Sequence, residues 1–416
     1  MKTFTYIFKG SLSLLLLLCS LTNSNAQTDT TKLIQRIPSD TSKQKLNMDA
    51  VYNRPFLTAG KLPIAIGGYL EANTQYAVTD GVSEGFSFQA RRFTLFFSST
   101  IAKKIKFLSE LEFEDGTKEI NIEFAAMDIE FHSLLNLRGG IIMNPIGAFN
   151  QNHDGPRWDF IDRPISTTTI IPSTLANAGF GLHGKYFVNN WIVGYETYLT
   201  NGFDDKIISN EDGRTSLAAG KKNPERFEES NSGLPMFTGK IAVRNRKLGE
   251  FGLSYMTGVY NKWKEDGLIL DNKRSASVIA ADFNTSFAKN RLILTGELAK
   301  VMVEVPELYI QTFGTQQFGG FIDIVGTIVQ RPMMGWDKAK LNLGVRLEYA
   351  DYNQGEFKET GENIGDDIWE IVPGIAFRPV GTTVLRFNYR YQQQTDLLGN
   401  PPALTGVIQF GFSTYF

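Results

Sequence analysis

The chain has 416 residues, with 42 Lys+Arg against 44 Asp+Glu and a formal net charge of −2, so no overall field points to nucleic acid or to an anionic membrane surface. Mean hydropathy is slightly polar, and past the leader no segment approaches eighteen consecutive apolar residues, which excludes helical membrane spans. Yet there are 31 Phe, 15 Tyr and 39 Gly, a composition suited to a membrane β-barrel whose outer face is apolar and whose lumen is wet.

In chain order, Met1-Lys2 through Lys9 supplies a basic start, Leu12 to Leu18 an apolar run, and Ser24-Asn25-Ala26 a small-residue cleavage site. Residues 1–26 thus read as a Sec-type signal peptide, with Gln27 as the mature N-terminus. Cys19 is the single cysteine and follows Leu18, where a lipobox wants Gly or Ala. The mature chain is therefore expected to hold no disulfide, no thiolate metal site, no metal and no cofactor. Residues 27–62, rich in Thr, Ser, Lys and Asp without a steady period, read as a periplasmic extension or linker, and 63–416 as the barrel.

Period-two segments bounded by Gly, Asn, Asp or Pro predict sixteen strands, near 64–78, 86–101, 104–115, 119–132, 134–144, 178–188, 190–201, 236–246, 250–261, 275–288, 291–304, 317–330, 339–352, 366–379, 382–394 and 403–416. In Leu341–Tyr349 the aliphatic residues and Tyr349 share one face and Asn342, Arg346 and Glu348 the other. The phase breaks around Arg91-Arg92 and Ala125-Ala126, which reads as bulges or as strand extensions above the bilayer, and Pro373 lacks a ladder donor, where a bulge is expected. The last strand puts Ile408, Phe410, Phe412 and the final Phe416 on one face, a terminus that resembles those of outer-membrane barrels. Connections after even-numbered strands are mostly short and those after odd-numbered strands mostly long, the asymmetry of periplasmic turns and outward loops. The fold class is therefore all-β: a transmembrane antiparallel barrel of about sixteen strands.

At Gly67-Gly68-Tyr69-Leu70, Arg91-Arg92-Phe93-Thr94-Leu95, Leu111-Glu112-Phe113-Glu114, Leu137–Gly147 and Phe160-Ile161-Asp162-Arg163-Pro164, the chain resembles the phosphate-selective porin O and P family. The resemblance covers roughly 67–205 and Phe416. It implies a sixteen-stranded barrel, often trimeric, whose long third loop folds into the lumen and narrows it. One departure is Met143, where family members often carry a lysine. The resemblance therefore carries the fold and leaves phosphate selectivity open.

Assigning polar faces to the lumen places Glu110, Glu112 and Glu114 on the third strand, Glu119 and Glu123 on the fourth, Arg138 on the fifth, and His183 and Lys185 on the sixth. Lys240 and Arg244 follow on the eighth, Arg346 and Glu348 on the thirteenth, and Arg386 and Arg390 on the fifteenth. Acids on early strands and arginines on late ones would lie on different sectors of the wall, where guanidinium groups favour anions. The alternative is that these charges only keep the lumen hydrated. The third loop carries Asp154, Arg157, Trp158, Asp159, Asp162 and Arg163, a mixture suited to a constriction or to salt bridges pinning the loop.

No catalytic set emerges. The three histidines, His132, His153 and His183, are scattered, and no G-x-S-x-G elbow is present. The sequence thus reads as a bacterial outer-membrane porin for small hydrophilic or anionic solutes, and not an enzyme. Its expected partners are membrane lipid and the barrel assembly machinery, engaged through the strand ending at Phe416, with a homotrimer as the implied assembly. The alternatives are a barrel enzyme acting on lipid and a partner-binding adhesin or assembly barrel. A plugged 22-stranded receptor needs a longer chain.

Overall fold

The computed structural model describes residues 46–59, 63–306, 313–357 and 360–416, together with the backbone of 34–37. The signal peptide expected over 1–26 lies outside the described residues.

Sixteen antiparallel strands form the body: β1 Ile64–Thr79, β2 Val82–Ala102, β3 Ile105–Glu114, β4 Glu119–His132, β5 Leu135–Met143, β6 Ala176–Val188, β7 Trp191–Thr200, β8 Met236–Asn245, β9 Gly249–Val259, β10 Ser275–Phe287, β11 Leu292–Val303, β12 Gln316–Gln330, β13 Lys340–Asp351, β14 Asp367–Val380, β15 Thr383–Gln394 and β16 Ala403–Tyr415. Each pairs with its neighbour in sequence, and β16 returns to β1, with Thr405 opposite Thr79 and Tyr415 opposite Tyr69. The sheet therefore closes, and the backbone donors and acceptors of its strands find partners without water.

Alternation decides which face meets lipid. Leu343, Leu347, Phe387 and Tyr389 are exposed, as are Ile408, Phe410 and Phe412, while Arg346, Glu348, Arg386, Asn388 and Gln409 between them are buried. Phe416 stacks on Phe93, and its N–H donates to the carbonyl of Gly68, so the last residue is tied to the first strand.

Two expected bulges are found where the phase breaks. Pairing slips by one residue near Arg91, between the Glu71–Arg92 and Asn73–Gln89 pairs, and again at Glu123, between the Glu110–Phe124 and Leu111–Ile122 pairs. The bulge expected at Pro373 is absent. Its register with β13 is regular, opposite Val345, and the slip on β14 falls between Phe377 and Val380. The β14–β15 pairing is interrupted at 372–373 but resumes in the same register at Gly374, so the missing donor is accommodated by a local gap in the ladder and no residue is inserted.

Residues 46–56 fall within the stretch read as a periplasmic extension or linker, and their contacts lie on the inward face. Leu46 and Met48 pack on Ile192 and Ala242, while Val51 and Phe56 pack among Tyr69, Phe96, Leu108, Phe124 and Tyr415. Gly194 makes room for this segment, since a Cβ there would sit 2.1 Å from Leu46. Phe56–Ala59 then leads out along the start of β1, with Leu57 opposite Ile66.

Candidate functional site

The loop from 144 to 175 is closed on itself at its root. The Asn150 side chain donates to the carbonyls of Asn144 and Leu175, and its oxygen accepts from the Leu175 N–H. Pro145 lies two residues past the end of β5, where it offers no N–H to continue the ladder. Gly155-Pro156 lies in a short 3-10 turn. Trp158 packs against Phe149 and Phe321 at 4.8 and 6.0 Å between ring centres.

From this base the loop touches inward-facing groups on many strands. The N–H groups of Ala148 and Phe149 donate to Glu297 on β11, and that of Gly147 to Ser254 on β9. Gly147 has φ +66°, and Glu297 fills the space a side chain would need. The Ile161 N–H donates to Asn388 on β15, and that of Ile165 to Glu348 on β13. Asp159 accepts from Arg378 on β14 at 2.8 Å. Asp162 accepts from Arg91, Arg390 and Gln409 at 2.6, 3.1 and 2.6 Å, tying β2, β15 and β16 to one carboxylate. Arg157 donates to Tyr415 and to the carbonyl of Ala50, and Arg163 lies 3.7 Å from Glu112 and 3.9 Å from Glu114.

The wall residues singled out by alternation point inward, and most are engaged there. Arg346 grips Asp323 through two parallel bonds of 2.6 and 2.8 Å and donates to the Asp162 carbonyl. Arg386 meets Glu71 at 2.6 Å and the Phe160 carbonyl at 2.7 Å. Arg390 reaches Asp162 and lies 3.8 Å from Glu370. Lys240 donates to Asp282 and to the Gly147 carbonyl, each at 2.6 Å. Arg138 forks onto Asp128 and covers the ring of Tyr52 at 3.6 Å, while Lys185 pairs with Asp49. Glu112 accepts from Tyr69 and Thr94, and Arg92 pairs with Glu114. Glu123, re-aimed by its bulge, lines a cavity of about 460 Å³ with Lys221 and Arg226.

Glu110 belongs to a tighter cluster. Arg54 donates to Glu110 at 2.8 Å and to both Asp154 oxygens at 2.9 and 2.5 Å, and its Nη2 lies 3.3 Å from His153 Nε2. Burial alone would raise the carboxyls of Asp154 and Asp162. The guanidiniums of Arg54 and Arg157 at the first, and of Arg91 and Arg390 at the second, hold both below the usual carboxylate range.

The acid partners Glu71, Asp128, Asp282, Glu297 and Asp323 were legible by the same alternation that found the bases. Arg54 was not, because it lies outside any period; the apolar residues of Leu46–Phe56 within a polar stretch are the one signal pointing to it.

No protein-family model matches the chain. An uncharacterised protein of Aquifex aeolicus (strain VF5) is 30% identical over 221 residues, 51% of this chain, and the chain spans 48% of that relative's length. Among solved structures, the anion-selective porin of Comamonas acidovorans superposes with a TM-score of 0.53 at 12% identity, covering 85% of this chain and 99% of that one. The outer-membrane channel DcaP of Acinetobacter baumannii gives 0.51 at 12% identity, covering 84% and 96%. Salmonella typhi OmpF, in complex with daunomycin, gives 0.51 at 9%, covering 85% and 98%. At these identities the likeness is one of fold, and that fold is the outer-membrane porin barrel.

Proposed function

We propose that this barrel sits in the bacterial outer membrane and is a diffusion channel for small hydrophilic solutes and ions, narrowed from within by the loop 144–175 and by residues 46–56. The observation that carries the reading is the set of hydrogen bonds joining that loop to inward faces on β2, β7, β8, β9, β11, β13, β14, β15 and β16, which supports a restricted opening. Membership of the phosphate-selective porin O and P family remains an inference from the motifs, and the porin neighbours agree with its coarser form. Anion preference is expected to be weak. Arg346 and Arg386 are committed to carboxylates and loop carbonyls, while Arg91 and Arg390 keep part of their surface free around Asp162. The reading contains no catalytic step.

The test is conductance of the refolded protein in a planar bilayer, compared with Asp162→Ala. Loss of that carboxylate releases the loop from β2 and removes one of its ties to each of β15 and β16, and single-channel conductance should rise. If Asp162→Ala conducts as the parent does, the loop does not set the opening. If the parent, Asp162→Ala and a variant lacking residues 46–56 are all silent, the channel reading fails.

A further inference from the structure

Arg54 occupies an unusual place. It is 2% exposed, enters from a segment that belongs to no strand of the barrel, and its guanidinium lies 3.9 Å from the centre of the Phe96 ring. Around it stand Glu110 from β3 and His153 and Asp154 from the loop, all buried, with one ligand atom from each lying within 4.8 Å of the others.

The histidine is set for coordination. Its Nδ1 lies 2.8 Å from the carbonyl of Asn150. A carbonyl only accepts, so Nδ1 carries a proton, and Nε2, the nitrogen that faces the cluster, is the one placed to ligate a metal. That Nε2 is 3.5 Å from Glu110 Oε1 and 3.7 Å from Asp154 Oδ1. Glu110 Oε1 has no hydrogen-bond partner, so one buried oxygen aimed into the cluster is left over by the arginine. Tyr415 donates to Asp154 Oδ2 at 2.6 Å, an outer contact of the kind that orients a ligating carboxylate. Imidazole with two carboxylates suits a zinc-like divalent ion better than calcium or magnesium, which favour oxygen alone.

We propose that Glu110, His153 and Asp154 form a divalent-cation site for which Arg54 is a tethered stand-in, so that a metal ion and the arginine compete for the same ligands and metal entry releases residues 46–56. Two buried carboxylates with oxygens within 4.8 Å of each other demand positive charge. Arg54 supplies one charge, with Arg157 3.5 Å from Asp154. A divalent ion would supply two and would also use the free oxygen and the imidazole nitrogen. Competition is reciprocal: whatever the segment adds to the occupancy of the site by Arg54 it subtracts from metal affinity, and the reverse.

The experiment compares zinc binding by the full chain and by Arg54→Met, which keeps side-chain bulk without charge. Arg54→Met should bind zinc roughly tenfold or more tightly than the parent, read by calorimetry and by a zinc-dependent rise in its unfolding midpoint over that in EDTA. His153→Ala in the same background should abolish both. If Arg54→Met folds poorly in EDTA, its refolding yield with and without zinc gives the same comparison. Equal zinc binding by parent and Arg54→Met, or a gain that survives His153→Ala, would overturn the site. Release is read separately from Val51→Cys, in a mature chain with no other cysteine. Zinc should speed thiol labelling at this buried position, and an unchanged rate would overturn the competition. None of these readouts requires conductance, so a silent channel would not decide them.

Discussion

Replacing Arg346 with methionine tests whether the lumen wall near β12 and β13 is dry and locked or hydrated. Arg346 is 1% exposed and Asp323 4%, and among the described residues Asp323 has no other ion-pair partner. Methionine keeps an apolar stem near Phe160 and Phe321, against which the guanidinium now lies, so the cavity left behind is small. What remains is a buried, unpaired carboxylate, which costs about 3–5 kcal/mol. The Asp162 carbonyl also loses its donor at 2.8 Å, adding about 1 kcal/mol. Adding Asp323→Leu removes the stranded charge and should recover most of the loss, giving a coupling of about 3 kcal/mol between the two sites. Arg386→Met should cost less, because Glu71 still meets Arg92 at 3.0 Å; about 1–3 kcal/mol is expected from the unpaired loop carbonyls. Equilibrium urea unfolding in lipid vesicles, followed by fluorescence and gel mobility, measures these four proteins and Asp323→Leu alone, which closes the cycle. A loss under about 1 kcal/mol for Arg346→Met, unchanged by Asp323→Leu, would mean that water solvates Asp323 and that burial of this pair has been overstated.

Two further outcomes follow from the same geometry. Val345→Arg, on the lipid face between Leu343 and Leu347, should cost about 2–4 kcal/mol near the midplane, whereas Gln392→Arg, on the half-buried inward face of β15, should cost about 1 kcal/mol or less; equal folding yields would reverse the inside–outside assignment. Acid should loosen the third loop. Asp154 and Asp162 have depressed folded pKa values, so their stabilisation is complete above the ordinary carboxylate range, near pH 4, and is lost as pH falls through the folded values. With Trp158 kept as sole tryptophan, the part of its emission change that Asp162→Asn abolishes should fall below about pH 5; if the abolished part lay between about pH 5 and 8 instead, the sign would be contradicted.

The strands were legible because a half-buried strand writes its two environments into alternate residues, as Leu343, Val345 and Leu347 do against Asn342, Arg346 and Glu348. Where one extra residue slips in, at Arg91 and Glu123, the pattern marks the fault as well. Pro373 misled because a missing donor matters only where the ladder needs it, and pairing is not readable from one strand. For the inward charges, alternation carried direction and not company. Nothing within β13 says that Arg346 will meet Asp323 rather than a solute, since that depends on the neighbouring strand's register. Arg54 was the least visible residue, because it acts from a segment whose conformation is imposed by Glu110 and Asp154 and not by any period of its own.

The contacts inside the wall also set a schedule for assembly. Glu71 meets Arg386 across 315 residues of sequence, Tyr415 meets Asp154 across 261, and Asn47 meets Glu250 across 203. Neighbouring strands can zip locally, but none of these bonds exists until chain ends far apart in synthesis have been brought together, and loop-closure entropy is spent before they contribute. The first strand must therefore wait for the last, and residues 46–56 must be taken in before the seam between β16 and β1 shuts or be threaded afterwards through its mouth. Refolding should accordingly be limited by closure of that seam, with strand content appearing before the tryptophan environment at Trp158 is established.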